Sequence, residues 1–210
     1  MKTLVELEAD IEAAAADGMR PLHLAALRGQ VEAVTSLVEL QADIEAEADD
    51  GRRPLHLAAL HGQVEAARTL LELGANVHAT SVNGDAPLHL ASNAETVRLL
   101  LEAGAQLHLR NRGGLTPLFE AVRAGHASAV TAMVQAGASR DASDFVWWTG
   151  LFVDAIGGNA EAAMVLAAAS PERDRRLEEN GHFARSPVQL AELHTTPERR
   201  EELLSALADA

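Results

Sequence analysis

Apolar and polar residues alternate along this chain in a block that recurs at a fixed interval. The block Pro-Leu-His-Leu-Ala begins at Pro21, Pro54 and Pro87, 33 residues apart each time, and a degraded copy begins at Pro117. Residues 3–33 align with residues 36–66 without a gap, which points to internal duplication. In each block a glycine (Gly18, Gly51, Gly84 or Gly114) supplies a turn, and proline follows where a first helical residue needs no N–H. The sequence "LHLAAL" then predicts a short apolar helix, and a Gly at 29, 62 or 125 reverses the chain. A second helix, predicted for example over Val64 to Leu73, carries Val64, Ala67, Leu70 and Leu71 on one apolar stripe and stops at Gly-Ala (Gly74, Gly104, Gly137). One such unit cannot bury its own stripe, whereas stacked neighbours can. The pattern therefore predicts an array, stabilised by repeat and interface terms, whose function is sought on a surface.

A 33-residue unit carrying Pro-Leu-His-x-Ala resembles the ankyrin repeat, whose signature lies within a β-turn and two helices. The resemblance covers nearly the whole chain and implies an all-α repeat solenoid with short β-hairpin loops: about five repeats plus terminal half-repeat caps. The expected division is a single domain, with a partial N-terminal cap at 1–17 that includes a short helix from Leu4 to Leu7. Repeats follow at 18–50, 51–83, 84–113, 114–146 and 147–180, then a C-terminal cap repeat at 181–210. The third repeat is three residues shorter, and there Ser92-x-x-Glu95 has the pattern of a capping box that starts the outer helix directly.

Departures from the family pattern locate this chain's own features. The signature Thr, a helix N-cap by resemblance, is Arg20, Arg53 and Ala86 in the first three units, which costs roughly 1 kcal/mol of capping each. Asp17 and Asp50 lie three residues before the two arginines, so a local ion pair is expected in place of the cap. The fifth unit departs most: its hairpin reads Asp144-Phe145-Val146-Trp147-Trp148-Thr149, and four of the six aromatic residues fall within 145–152. Trp147 takes the slot that Gly holds elsewhere, where positive φ is common. An exposed aromatic cluster reads as a binding hot spot. The structural alternative is that the Trp pair covers the charged connection at 171–180.

Charge narrows the partners. A net charge of −14 over 210 residues argues against nucleic-acid grooves and anionic membrane surfaces. There is no apolar run near the ~20 residues of a membrane span and no signal-peptide pattern, so the expected setting is cytoplasmic. Zero cysteines remove disulfides, thiolate metal sites and a thiol nucleophile. The charge is uneven, however. Arg110, Arg112, Arg123 and Arg140 face only Glu102 and Glu120 within 101–140, while an earlier hairpin holds Glu45, Glu47, Asp49 and Asp50. By resemblance, hairpin tips and inner helices line one concave face, placing Arg112 and Arg123 beside the Trp pair, an arrangement suited to an acidic-hydrophobic peptide. The expected partner-binding residues are Trp147, Trp148, Phe145, Arg112 and Arg123. Leu115, Leu60, His61, Arg52 and Asp85 complete the set.

Catalysis finds no footing in the sequence. Phosphate loops, zinc-protease and nucleophile-elbow motifs are all missing. His23, His56 and His89 recur at one repeat position, and a helix spacing of ~8–10 Å is too wide for them to share a metal. By resemblance they are structural hydrogen-bonders. No cofactor and no metal are expected. The function expected is a non-catalytic scaffold, adaptor or inhibitor that binds a protein or peptide; the alternative is a self-associating structural module, a homo-oligomer, or a regulatory domain of a larger assembly.

Overall fold

The computed structural model describes residues 10–138. It divides into two compact units, Met1–Pro117 and Leu118–Ala210. In the first, helices α1 (Pro21–Leu27), α3 (Pro54–Leu60) and α5 (Pro87–Leu90) form an inner row. Helices α2 (Val31–Glu39), α4 (Val64–Glu72) and α6 (Ala94–Glu102) form an outer row. Each inner helix packs on its own outer partner and on the next inner helix, and the outer row packs likewise, which makes this unit a helical repeat stack. Among the described residues there is no strand.

The 33-residue interval becomes layers of identical side chains. Leu22, Leu55 and Leu88 are buried in the inner row, and Leu37, Leu70 and Leu100 at the matching position of the outer row. Each such leucine contributes about 1.5–3 kcal/mol of burial. Paired alanines beside them (Ala25 and Ala26, Ala58 and Ala59) are buried too, and their small side chains let helix axes approach closely. On α4 the buried stripe is Ala66, Ala67 and Leu70, whereas Val64 and Leu71 are half-buried and Leu73 is the C-cap rather than a helical residue.

Histidines stitch one layer to the next. In each inner helix the residue before proline donates its backbone N–H to the ring Nδ1 three positions on: Arg20 to His23, Arg53 to His56 and Ala86 to His89, all at 3.1 Å. An accepting Nδ1 leaves the proton on Nε2. Nε2 then donates across the layer to the carbonyl of Arg52 (3.1 Å), Asp85 (2.9 Å) and Leu115 (3.3 Å) respectively. Burial opposes a charged ring, so the pKa of His23 is lowered and that of His56 falls to about 4.

The two arginines that replace the signature Thr do not pair with Asp17 and Asp50. Arg20 instead reaches Glu12, and Arg53 reaches Glu45 (2.6 Å) and Glu47 (2.8 Å). Asp17 accepts from the Met19 N–H, and Asp50 from Arg52. The cause is the reversal of the chain at the turn, which brings residues eight apart side by side. The second carboxylate oxygen of each glutamate accepts a backbone N–H from the following unit, Glu12 from Asp43 and Glu45 from Asn76, both at 2.8 Å. One unit further on, the corresponding residues are His78 and Ala86, so both members of the clasp are replaced together.

The shortened third repeat keeps only one turn of inner helix, because Ala91 leaves helical geometry (φ −59°, ψ 119°). Asn93, not Ser92, caps α6: its side chain accepts from the Thr96 N–H at 2.8 Å. Ser92 is drawn to the previous layer, where its backbone N–H donates to the Ala59 carbonyl at 3.2 Å. The side-chain amide of Asn93 donates to the Gly62 carbonyl at 3.1 Å; the left-handed φ of 64° favours glycine there, and a Cβ, 2.3 Å from that amide, would displace it.

Helix α7 (Pro117–Ala124) starts on the last residue of the first unit, and α8 (Ala127–Gln135) follows it through Gly125 at φ 78°. Leu118, Phe119, Val130 and Met133 are buried. The expected Leu4–Leu7 helix, the repeat at 147–180 and the cap at 181–210 lie outside the described residues.

Candidate functional site

Four fingers project from the first unit, each a turn closed by two backbone hydrogen bonds rather than a β-ladder. In the second finger Ala48 donates to the Arg52 carbonyl (2.9 Å) and Gly51 to the Ala48 carbonyl (2.8 Å). The same pair recurs at Ala15–Met19, Ser81–Asp85 and Asn111–Leu115. The glycine is at φ 73° in the second finger, and a Cβ there would come within 2.7 Å of the Val82 backbone nitrogen.

The fingers are also tied to one another. The Asp49 N–H donates to the Asp17 carbonyl (3.1 Å), Val82 to Asp50 (2.9 Å) and Arg112 to Asn83 (2.9 Å). One hydrogen bond per step thus fixes a continuous row of tips. In the second to fourth fingers alternate residues are exposed, Glu47 and Asp49, Thr80 and Val82, Arg110 and Arg112, whereas Ala46, Ala48, Ala79 and Ser81 between them are buried.

Composition changes step by step along this row. The second finger carries Glu45, Glu47, Asp49 and Asp50 against Arg52 and Arg53, a net of −2. In the third finger the tip is Val82-Asn83, with no charge, and Val82 is 52% exposed. The fourth finger, residues 108–116, carries Arg110 and Arg112 and no carboxylate. Arg110 donates to the Gly114 carbonyl at 2.8 Å.

The expected binding residues sort as follows. Arg112 is an exposed tip, Arg52 is half-buried with its guanidinium 3.5 Å from Asp50, and Leu115 is half-buried on the inner side of the fourth finger. Leu60 ends α3 half-buried, and His61, its C-cap, is exposed. Asp85, also among the expected residues, is buried, with 7% of it accessible. Its carboxylate accepts from the Asn111 side-chain amide at 2.7 Å, and its backbone N–H donates to the Ser81 hydroxyl, so it joins neighbouring fingers. Arg123 lies in the second unit, exposed and bound to Glu120 at 2.5 Å. Phe145, Trp147 and Trp148 lie outside the described residues. Val82 was not among the expected residues; its only signal in the sequence is an aliphatic residue inside the turn Ser81-Val82-Asn83-Gly84.

Among the described residues no three His, Asp or Glu side chains gather as metal ligands, and no helix is long and apolar enough to cross a membrane. The row presents exposed side chains at a repeated step, each of its tips tied to the next by a backbone hydrogen bond.

No curated protein matches this sequence. A family model described as ankyrin repeats, in three copies, matches residues 1–81 and 73–144. Together with the recurring helix pairs, the stitched histidines and the tied fingers, that match places the chain in the ankyrin repeat family, whose members are generally protein–protein interaction modules.

Proposed function

We propose that this chain is a non-catalytic protein-binding module that holds a protein or peptide partner against its finger tips and inner-helix ends, as a cytoplasmic scaffold, adaptor or inhibitor. The observation that carries this reading is the row of exposed tips, each tied to the next by a backbone hydrogen bond. A surface already held in place loses little backbone entropy when a partner docks. Arg112 and Arg52 orient the partner, while Leu60, His61 and Leu115 supply contact area. Phe145, Trp147, Trp148 and Arg123 belong to the same proposal as further anchors. An acidic-hydrophobic stretch of the partner suits the fourth finger.

The test is capture from a lysate of the source organism followed by mass spectrometry, with three baits: the whole chain, Val82→Ser/Arg112→Glu, and the outer-helix control Glu72→Lys/Arg98→Glu. The reading expects a protein retained by the first and third baits and lost by the second. Retention that depends on the outer helix, or no specific retention at all, contradicts it. A fourth bait, Trp147→Ala/Trp148→Ala, assigns or removes the aromatic anchors.

A further inference from the structure

We propose that the tip row is built to take one extended segment of opposite polarity: basic residues at the second finger, an aliphatic residue at the third and acidic residues at the fourth. This rests on the protein-binding reading above and adds to it the chemistry and orientation of the partner.

The argument starts from matched positions. At one matched position the outward residues of the second, third and fourth fingers are Asp49, Val82 and Arg112. The series runs acidic, uncharged, basic. Near-identical repeats would present the same side chain at every step, whereas these outward residues differ in charge. Their inward neighbours Ala48, Ser81 and Asn111 are buried or half-buried. The ties from Val82 to Asp50 and from Arg112 to Asn83 keep the three tips consecutive and in register.

Polarity of this kind selects direction. A segment with one sign of charge is attracted at one end and repelled at the other, whereas a bipolar segment gains at both ends in one orientation only. Val82, 52% exposed between the charged tips, offers the apolar contact at the midpoint. Spacing follows from general geometry. Stacked helices are ~8–10 Å apart, so the second and fourth fingers stand about 16–20 Å apart along the row. An extended chain advances ~3.3 Å per residue, which separates the basic and acidic groups of the partner by about five or six residues.

The experiment is selection of a phage-displayed library of random 16-residue peptides on the whole chain, followed by anisotropy titration of the enriched peptides. Titrations cover the wild type, Arg110→Glu/Arg112→Glu, Asp49→Arg/Asp50→Arg and the combined four-residue exchange. Unchanged helical circular dichroism is required of each variant. The expected result is a consensus with basic and acidic clusters five or six residues apart around an aliphatic residue. Each two-residue variant should weaken binding at least tenfold, the combined exchange should restore it because the peptide can turn round, and added salt should weaken the wild-type complex. Peptides of a single sign, or binding indifferent to these four residues, overturn the polarity while leaving protein binding intact. Failure to enrich any peptide, together with loss of partner capture in the lysate experiment, overturns both.

Discussion

Arg53 is held between two carboxylates, Glu47 and Glu45, whose hydrogen bonds raise its already high pKa. Arg20 has one partner, Glu12. Replacing Arg53 with Ala should cost about 1–2 kcal/mol and replacing Arg20 less, as urea unfolding would measure. Equal losses would mean that the clasps contribute nothing beyond side-chain packing. His56 makes a pH prediction. Its pKa is 6.5 in the unfolded chain and about 4 when folded, so unfolded chains take up the proton first as pH falls. The stability due to the neutral ring is whole above pH 6.5 and lost progressively towards pH 4, on the order of 3 kcal/mol from this site. His56→Gln should be less stable than the wild type at pH 7.5 and show a smaller loss between pH 7.5 and pH 5. Parallel losses in the two proteins would remove His56 as the cause.

At the scale of the element, helix ends decide most of what repetition leaves open. Gln41 sits at φ 72° just after the C-cap of α2, where the following units place Gly74, Gly104 and Gly137. A side chain in the left-handed region is strained, so Gln41→Gly should raise stability by about 0.5–1 kcal/mol, read as a higher urea midpoint with an unchanged slope. Asn93 both caps α6 and bonds to Gly62, and Asn93→Ala should cost about 1–2 kcal/mol. The sequence made the helices themselves legible, because apolar periodicity and the Pro–Gly punctuation recur in every unit. Cap partners were not legible. Ser92 had the better-known pattern, yet the missing inner turn pulls it to Ala59 and leaves Asn93 at the helix start. Arg20 and Arg53 had nearer acids in sequence, but the folded finger sets closer ones beside them. The burial of Asp85 was not legible either, because its partner Asn111 lies 26 residues away on the neighbouring finger.

On the scale of the whole molecule, near-identical repeats supply the framework and their few differences supply function. Layers of Leu and Ala, stitched by His23, His56 and His89, hold the fingers at a constant step. Tips that vary from acid to aliphatic to base then turn that constant step into a directional surface. The uneven charge was visible in the sequence, whereas its ordering on consecutive tips needed the ties between Asp50 and Val82 and between Asn83 and Arg112. The most direct test is hydrogen–deuterium exchange of the chain alone and with its captured partner. Protection concentrated in residues 47–52, 80–84 and 110–114 is the predicted result; protection confined to α2, α4 and α6, with the fingers unchanged, would contradict the account.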